Sequence, residues 1–559
     1  MSRVLVIGLD GATLDLVEPW AQAGQLPVLA DMMRCGSYGR LRSVLPVLSS
    51  AAWASMMTGM NPGKHGLFDF VRREPGSYRL RVLRRDHMRG ASLWRILSDY
   101  GRKVGVVNVP MTYPPEQVNG FIVSGLGTPD YKPFTYPQEL GAKLLARGYR
   151  VNKLLAYRPG NEAAFLREVY EMTDRLTDSA LWLMHERDWD FFMVVFRDTD
   201  ELAHFFWKHM DPTHPAHNPA ADRPYQDAIL DYYRKVDTII GEFVQAAGPD
   251  TTTIILSDHG AGPLYRDVFL NEWLRQTGFL ATKSSVPQIG MARGMFARVG
   301  LTRTNISAIL RRLRLGKVEQ WLKDRLGDRI EWLPRTRRLE FAEAIDWSRT
   351  RAYSFGYHGQ IYVNLRGREP EGIVAPGAEY DRLCKEIEAT LRDLTDPRDG
   401  RPVVDQVIRR EEAFSGPCVE YAPDLIIIMR NLSYTTRQGH EFGEQSGQLF
   451  ADPLIHQSGS HRMDGLLILS GADVINGDAC KENSAQLPDI APTILHLLGC
   501  PVPSEMDGRV LQDWIFTRRQ VSFSNHNDES AHSTPYEQTL SEDEEQEIVT
   551  RLKNLGYLD

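Results

Sequence analysis

Short apolar runs recur along the chain with polar turns between them: VLVIGL at 4–9, VGVV at 104–107, FIV at 121–123, FFMVVF at 191–196, TTTIIL at 251–256, LIIIM at 425–429 and LLILS at 466–470. Each is too short for a core helix and is apolar at odd and even positions alike, which is the pattern of a strand covered on both faces. Between the runs lie segments whose apolar residues repeat every three or four positions, such as YQDAILDYYRKVDTIIGEFVQAAG and YDRLCKEIEATLRDL, and these predict amphipathic helices. Strands alternating with helices predict an α/β fold with a mostly parallel central sheet and helices on both faces. In such sheets ligands bind beyond the carboxyl ends of the strands.

Two stretches break the rhythm. Residues 283–340 read as helical and carry fourteen lysines and arginines against five acids, a local charge of +9. They predict an inserted cover over the core, with either a solvated basic face or a patch that attracts an anionic substrate or a membrane surface. From about 517 onward the chain is polar and acidic, with a last short helix expected over EEQEIVTRLKNLGYL. The expected organisation is a first core part at 1–280, an inserted helical cap at 281–410, a second core part at 411–516 and a tail at 517–559.

The whole chain of 559 residues carries a net charge of −8, so nothing global points to a nucleic-acid partner. Cys35, Cys384, Cys418, Cys480 and Cys500 are scattered and odd in number. This argues against a disulfide framework and for a reducing, cytoplasmic location. The N-terminal apolar run meets Asp10 at once and has no small-residue cleavage site, and no apolar stretch reaches the ~20 residues of a membrane span. The expectation is a protein with no transmembrane segment, whose basic insertion offers the one route to peripheral membrane contact; oligomeric state is left open.

Three predicted strands run into acids: Asp10, then Asp198 and Asp200, then Asp258 with His259 beside it. One such acid is an ordinary turn signal, but three converge on one sheet edge by the strand-end rule. In DELAHFFW, Asp200 and His204 are four apart, on one face of a helix that begins there, and SGSHRMDG places His461 before another strand. Oxygen and imidazole donors suit a borderline divalent metal. His440 and His456 compete with His461 for the third imidazole, but neither precedes a strand. Two divalent cations against Asp10, Asp200 and Asp258 leave a slightly positive site fit for phosphate, and paired metals clamp both oxygens of an in-line displacement. The stretch LSSAAWASMMTGMNPGKHG at 48–66 then offers Ser49 or Ser50 as a nucleophile at a helix start, where backbone amides steady phosphoryl oxygens; the plainer reading is that one serine caps the helix. The same stretch imitates a phosphate-binding loop, but only three residues separate Gly59 from Gly63 and His65 replaces the hydroxyl residue needed for magnesium. Neither GxSxG nor HExxH occurs.

With these residues assembled, the chain resembles the type I phosphodiesterase/nucleotide pyrophosphatase family of the alkaline phosphatase superfamily. The resemblance rests on VLVIGLDGA, LPVLSSAAWASMMTGMNPGKHGLFDF, DTDELAHFFW and LSDHGAG in order, completed by SGSHRMDGLLILSG and DIAPTILHLLGCPVPSEMDGRVL. It implies an alkaline-phosphatase-like fold and two divalent ions, zinc above all and manganese as an acceptable substitute. One ion is expected on Asp200, His204 and His461, the other on Asp10, Asp258, His259 and the nucleophile, which the family pattern puts at Ser49, three residues after Pro46. Serine replaces the family's threonine there. Ser50 is expected to contribute mainly its backbone N–H, with Lys64, Arg197 and His358 as further substrate contacts.

The implied activity is cleavage of a phosphodiester or pyrophosphate in a phosphorylated small molecule, nucleotide, lipid or glycan ester. A phosphotransferase, mutase or phosphomonoesterase on the same fold is the second reading, separated from the first by an acceptor pocket expected near His358 and Arg366. A non-catalytic anion-binding protein is the third.

Overall fold

A computed structural model describes residues 3–74, 76–78, 80–129, 132–283, 342, 344–436, 447–453, 456–475, 485–516, 519–525 and 541–554. The basic stretch expected to form a helical cover, and most of the acidic tail, therefore lie outside the described residues. What is described is where the insertion starts and ends: Thr282 bridges Ile345 in antiparallel fashion, and the Lys283 N–H donates to the Ala344 carbonyl at 3.0 Å. The last short helix is present as Glu542–Asn554.

Among the described residues nine strands form the central sheet, in the order Ala485–Gln486, Ser37–Arg42, Asp464–Ser470, Thr251–Leu256, Arg3–Leu9, Phe191–Phe196, Val104–Val107, Gly120–Val123 and Thr135–Tyr136. The four strands from Thr251–Leu256 to Val104–Val107 run parallel to one another, as does Gly120–Val123 beside them. Asp464–Ser470 is antiparallel to both of its neighbours. Alternate residues feed two separate cores. Val4, Val6, Phe191, Met193, Val195, Ile254 and Leu256 face one apolar cluster, while Leu5, Ile7, Leu9, Phe192, Val194, Phe196 and Ile255 face the other. That two-sided burial is why these strands read as unbroken apolar runs. Helices Ser49–Thr58, Leu93–Asp99 and Ile490–Leu497 cover the first face. Helices Glu162–Glu186, Asp198–Met210 and Ala228–Ala247 cover the second.

A second, four-stranded antiparallel sheet contains Ala352–Ser354, Gln360–Val363, Leu425–Met429 and Val404–Arg409, with helix Ala378–Leu391 packed on its own apolar cluster. The run LIIIM, grouped by its pattern with the core strands, belongs here. Leu425, Ile427 and Met429 face the helix side, and Ile426 packs with Phe68 and Phe414 on the other. Burial on both faces gives this antiparallel strand the pattern of a parallel one. Among the described residues no helix is long and apolar enough to cross a membrane.

Candidate metal and nucleophile site

Register sets the site. Leu9 is opposite Phe196 and Gly8 is opposite Leu256 in parallel pairing, so the residues that follow, Asp10, Arg197 and Asp258, leave the sheet at one edge. The Asp10 N–H donates to the Phe196 carbonyl at 3.0 Å, and the Thr199 hydroxyl donates to the Asp10 carbonyl at 2.5 Å. Helix Asp198–Met210 begins at once, with Asp200 and His204 one turn apart on its site face. His204 Nε2 lies 3.2 Å from Asp200 Oδ2. His461 arrives on a two-stranded ribbon in which Gly459–Arg462 pairs with Gly260–Pro263, so the ribbon that continues from His259 also presents His461. The two rings stack with centroids 3.7 Å apart. His456 is exposed at φ 62°, and His440 lies outside the described residues.

The three imidazoles are oriented alike. Nδ1–H of His204 donates to the Gly459 carbonyl at 2.9 Å, that of His259 to Gly260 at 3.0 Å and that of His461 to Val47 at 2.7 Å. Because a carbonyl only accepts, each Nδ1 carries the proton and each Nε2 presents a lone pair. These lone pairs meet carboxylates and each other. His461 Nε2 is 3.2 Å from His204 Nε2 and 3.7 Å from Asp200 Oδ1. His259 Nε2 is 3.3 Å from Asp258 Oδ2 and 3.6 Å from Asp10 Oδ1. Asp10, Asp258 and His259 are fully buried, and Asp200, His204 and His461 are at most 5% exposed.

The electrostatics of this cluster are consistent with a bound cation. Burial pushes Asp10 well above the usual carboxylate range, and repulsion from Asp258 and Asp200 adds to it. Burial raises Asp258 too, with His259 opposing, and among the described residues Asp258 Oδ2 has no hydrogen-bond partner. Burial keeps His461 neutral, and His259 reinforces this. Two imidazole lone pairs 3.2 Å apart, with an unpartnered carboxylate oxygen nearby, fit divalent ions. Two overlapping groups have ligand-spaced donor atoms: Asp200, His259 and His461, and Asp10, Asp258 and His259. His204 adds its Nε2 beside the first.

Ser49 is the first residue of helix Ser49–Thr58. The N-cap is Leu48, with no side-chain cap bond, so the capping role open to either serine is filled by neither. Instead Ser49 Oγ lies 3.3 Å from Asp10 Oδ1 and 3.1 Å from His259 Nε2. The Ser50 hydroxyl is buried and has no hydrogen-bond partner among the described residues. Of the other expected substrate contacts, His358 is brought in: its ring centroid is 5.2 Å from that of His461. Lys64 and Arg197 are not. The Lys64 ammonium is held by Asp507 at 2.6 Å and by the Glu505 carbonyl at 2.7 Å. Arg197 lines a separate small hollow with Tyr149, Val151 and Lys153.

Sequence reasoning missed two residues. Trp53, one turn after Ser49, donates its Nε1–H to Asp10 Oδ2 at 3.1 Å. Gly11 donates its N–H to Asp258 Oδ1 at 3.1 Å from a left-handed backbone, φ +67°. The Asp-Gly pair at the strand end carried a signal for Gly11, and the four-residue spacing from Ser49 carried one for Trp53.

A family model described as Type I phosphodiesterase / nucleotide pyrophosphatase matches residues 4–448, a range that holds every residue of this cluster except His461. Among solved structures, phosphonoacetate hydrolase from Sinorhizobium meliloti 1021 in complex with phosphonoacetate is similar at 13% identity, with a TM-score of 0.53. The match covers 89% of this chain and 95% of that one. Human ectonucleotide pyrophosphatase / phosphodiesterase 5 is similar at 13% identity over 92% of this chain and 100% of that one, with a TM-score of 0.47. No curated protein matches the chain in sequence.

Proposed function

The chain belongs to the type I phosphodiesterase/nucleotide pyrophosphatase family, and from that premise we propose that it is a two-metal phosphodiesterase or pyrophosphatase whose nucleophile is Ser49. The observation that carries this reading is the orientation of three imidazoles. Each proton is fixed outward on a backbone carbonyl, and each Nε2 is turned in among three buried carboxylates beside Ser49 Oγ.

Asp200, His204 and His461 would hold one ion; Asp10, Asp258 and His259 would hold the other, with Ser49 beside it. Three nitrogens with three carboxylates suit zinc, and manganese is the natural substitute. Bound there, such ions supply positive charge for the phosphoryl oxygens and acidify the attacking hydroxyl. Ser49 Oγ attacks phosphorus, the bond to the departing alcohol oxygen breaks, and a seryl phosphoester is left for water to cleave. The N–H groups of Ser49, Ser50 and Ala51 precede the first intrahelical bond, Ala52 N–H to Leu48 O, and are placed to donate to phosphoryl oxygens. Trp53 holds Asp10 in place, and the carbonyls of Val47, Gly260 and Gly459 hold the imidazoles.

Ser49→Ala tests the assignment. Turnover of bis-p-nitrophenyl phosphate should fall by about 10³-fold or more while metal content measured by mass spectrometry stays at the wild-type level. A variant that keeps both metal and turnover would remove Ser49 from the reaction.

A further inference from the structure

A cavity of about 460 Å³ lies on the seam between the core and the small antiparallel sheet. One wall is the core loop from Gly66 to Ser77. The other is built from Phe355, Tyr362 and the turn Arg366–Gly372, with Tyr421 at one side. The cavity is tied to the reaction site by one short loop. Phe355 begins it, and His358, three residues on, reaches the ring of His461. Phe355 also packs on the apolar cluster that contains Trp53. A substrate with its phosphorus at Ser49 therefore has this seam as a neighbouring space for one of its ester arms.

The lining says what kind of arm fits. Its formal charge is zero: Arg72, Arg73, Arg366 and Arg368 face Asp69, Glu74, Glu369 and Glu420, so the walls offer no net attraction for an anion. Arg73 and Arg368 are taken by Glu369, each at 2.9 Å. Arg72 and Arg366 have no carboxylate partner among the described residues. Arg72 lies 4.3 Å over the ring of Tyr421, and Arg366 gives one N–H to the Ile373 carbonyl at 3.0 Å. Glu74 and Glu420 likewise have no cationic partner among the described residues, although the Tyr421 hydroxyl is within hydrogen-bonding reach of the Glu420 carboxylate. Guanidinium and carboxylate forks not neutralised by an ion-pair partner, each with two adjacent donors or acceptors, are the side chains that span neighbouring hydroxyls. The aromatic residues are less available for a base. Tyr421 carries Arg72, Tyr362 stacks on Tyr353 at 5.7 Å and Phe68 meets Phe414 edge-on at 5.0 Å. Phe355 is the one lining ring with no ring or cation partner among the described residues.

We propose that this cavity binds an uncharged polyhydroxylated ester arm, a glycosyl or polyol group, and so directs the phosphodiesterase toward glycosyl or polyol phosphoesters rather than nucleotides. The inference rests on the proposed function and names the substrate class of the same site. The volume accommodates one or two sugar rings within the ordinary range of ligand pockets. Phe355 offers a face for the apolar side of a ring, while Arg72, Arg366, Glu74 and Glu420 meet its hydroxyls.

Three p-nitrophenyl phosphodiesters that differ in the second arm, methyl, α-D-glucosyl and thymidine 5′-yl, test it on the metal-loaded protein. The glucosyl ester should exceed the methyl and thymidine esters in kcat/KM by about tenfold or more. In Arg366→Ala, an exposed position, and in Arg72→Ala the ratio of glucosyl to methyl should fall toward one. A thymidine ester that is cleaved best, a glucosyl ester no better than the methyl ester, or a ratio that survives both substitutions overturns the inference and leaves the phosphodiesterase assignment standing. Failure to cleave any of the three overturns that assignment instead. The cavity is then judged by calorimetric titration with glucose 1-phosphate and thymidine 5′-monophosphate: preferential binding of the sugar phosphate supports it, and equal or tighter binding of the nucleotide sinks it.

Discussion

A methyl group on Gly11 would lie 2.7 Å from Asp200 Oδ1, on a backbone at φ +67° that a side chain strains. Gly11→Ala should therefore displace a candidate ligand directly, lowering zinc affinity by about tenfold or more, the loss common when a ligand's support is disturbed; competition against a fluorescent chelator measures it. Trp53→Phe keeps the ring in its buried place but removes the N–H that Asp10 Oδ2 accepts, and should weaken zinc binding by about 10-fold to 100-fold. Unchanged affinity in that variant would mean that Asp10 needs no support from the Ser49 helix. At this scale the acids and histidines were legible because strand ends and four-residue spacing place them. The supports were harder to read: the Asp-Gly pair and the four-residue spacing from Ser49 point to Gly11 and Trp53, but a tryptophan in an apolar helix and a glycine after an aspartate look the same whether or not they touch a site.

Helices carry the next layer of constraint. The first turn of Asp198–Met210 holds three acids, and the buried ammonium of Lys153 takes two of them, Asp198 and Glu201. Asp200, between them in sequence, is left to the histidines. Lys153→Met would strand the buried carboxylate of Glu201 and the half-buried one of Asp198, a change of the kind that costs about 3–5 kcal/mol. Its urea midpoint should drop sharply, and recover in part when Asp198→Asn and Glu201→Gln are added. The Ser49 helix is fastened differently. Leu67 N–H donates to His65 Nδ1 at 3.2 Å, so His65 Nε2–H faces Ser55 Oγ at 2.9 Å. Burial holds His65 near a pKa of about 3, against 6.5 when exposed. Below pH 6.5 the unfolded chain takes up a proton that the folded one refuses, so stability falls as pH drops. Urea unfolding should lose about 2 kcal/mol between pH 7.5 and 5 through this group, a slope that His65→Gln should lack. Lys64 and His65 imitated a phosphate loop in sequence, yet one is matched by Asp507 and the other holds a helix. The LIIIM strand misled for a related reason: an apolar run reports burial, not which sheet provides it.

Across the whole molecule, a central sheet with two cores delivers acids from three strand ends, and a second sheet brings His358 to the ring of His461 and builds one wall of the seam cavity. The sheet and its helices were readable from period and run length alone. Which strands share a sheet was not, because pairing depends on partners far away in the chain; Leu425 pairs with Ile361 and Arg409. Metal should count at this scale too, since ions that neutralise buried carboxylates in the folded state alone stabilise the whole fold. Chelation should lower the melting temperature, and zinc should restore it. The most direct test of the central claim is to strip the protein of metal and follow bis-p-nitrophenyl phosphate hydrolysis as zinc or manganese is added back. Activity absent in the stripped protein and regained with a plateau near two equivalents per chain is the predicted result. Turnover that survives stripping, or that never appears at any metal loading, would contradict it.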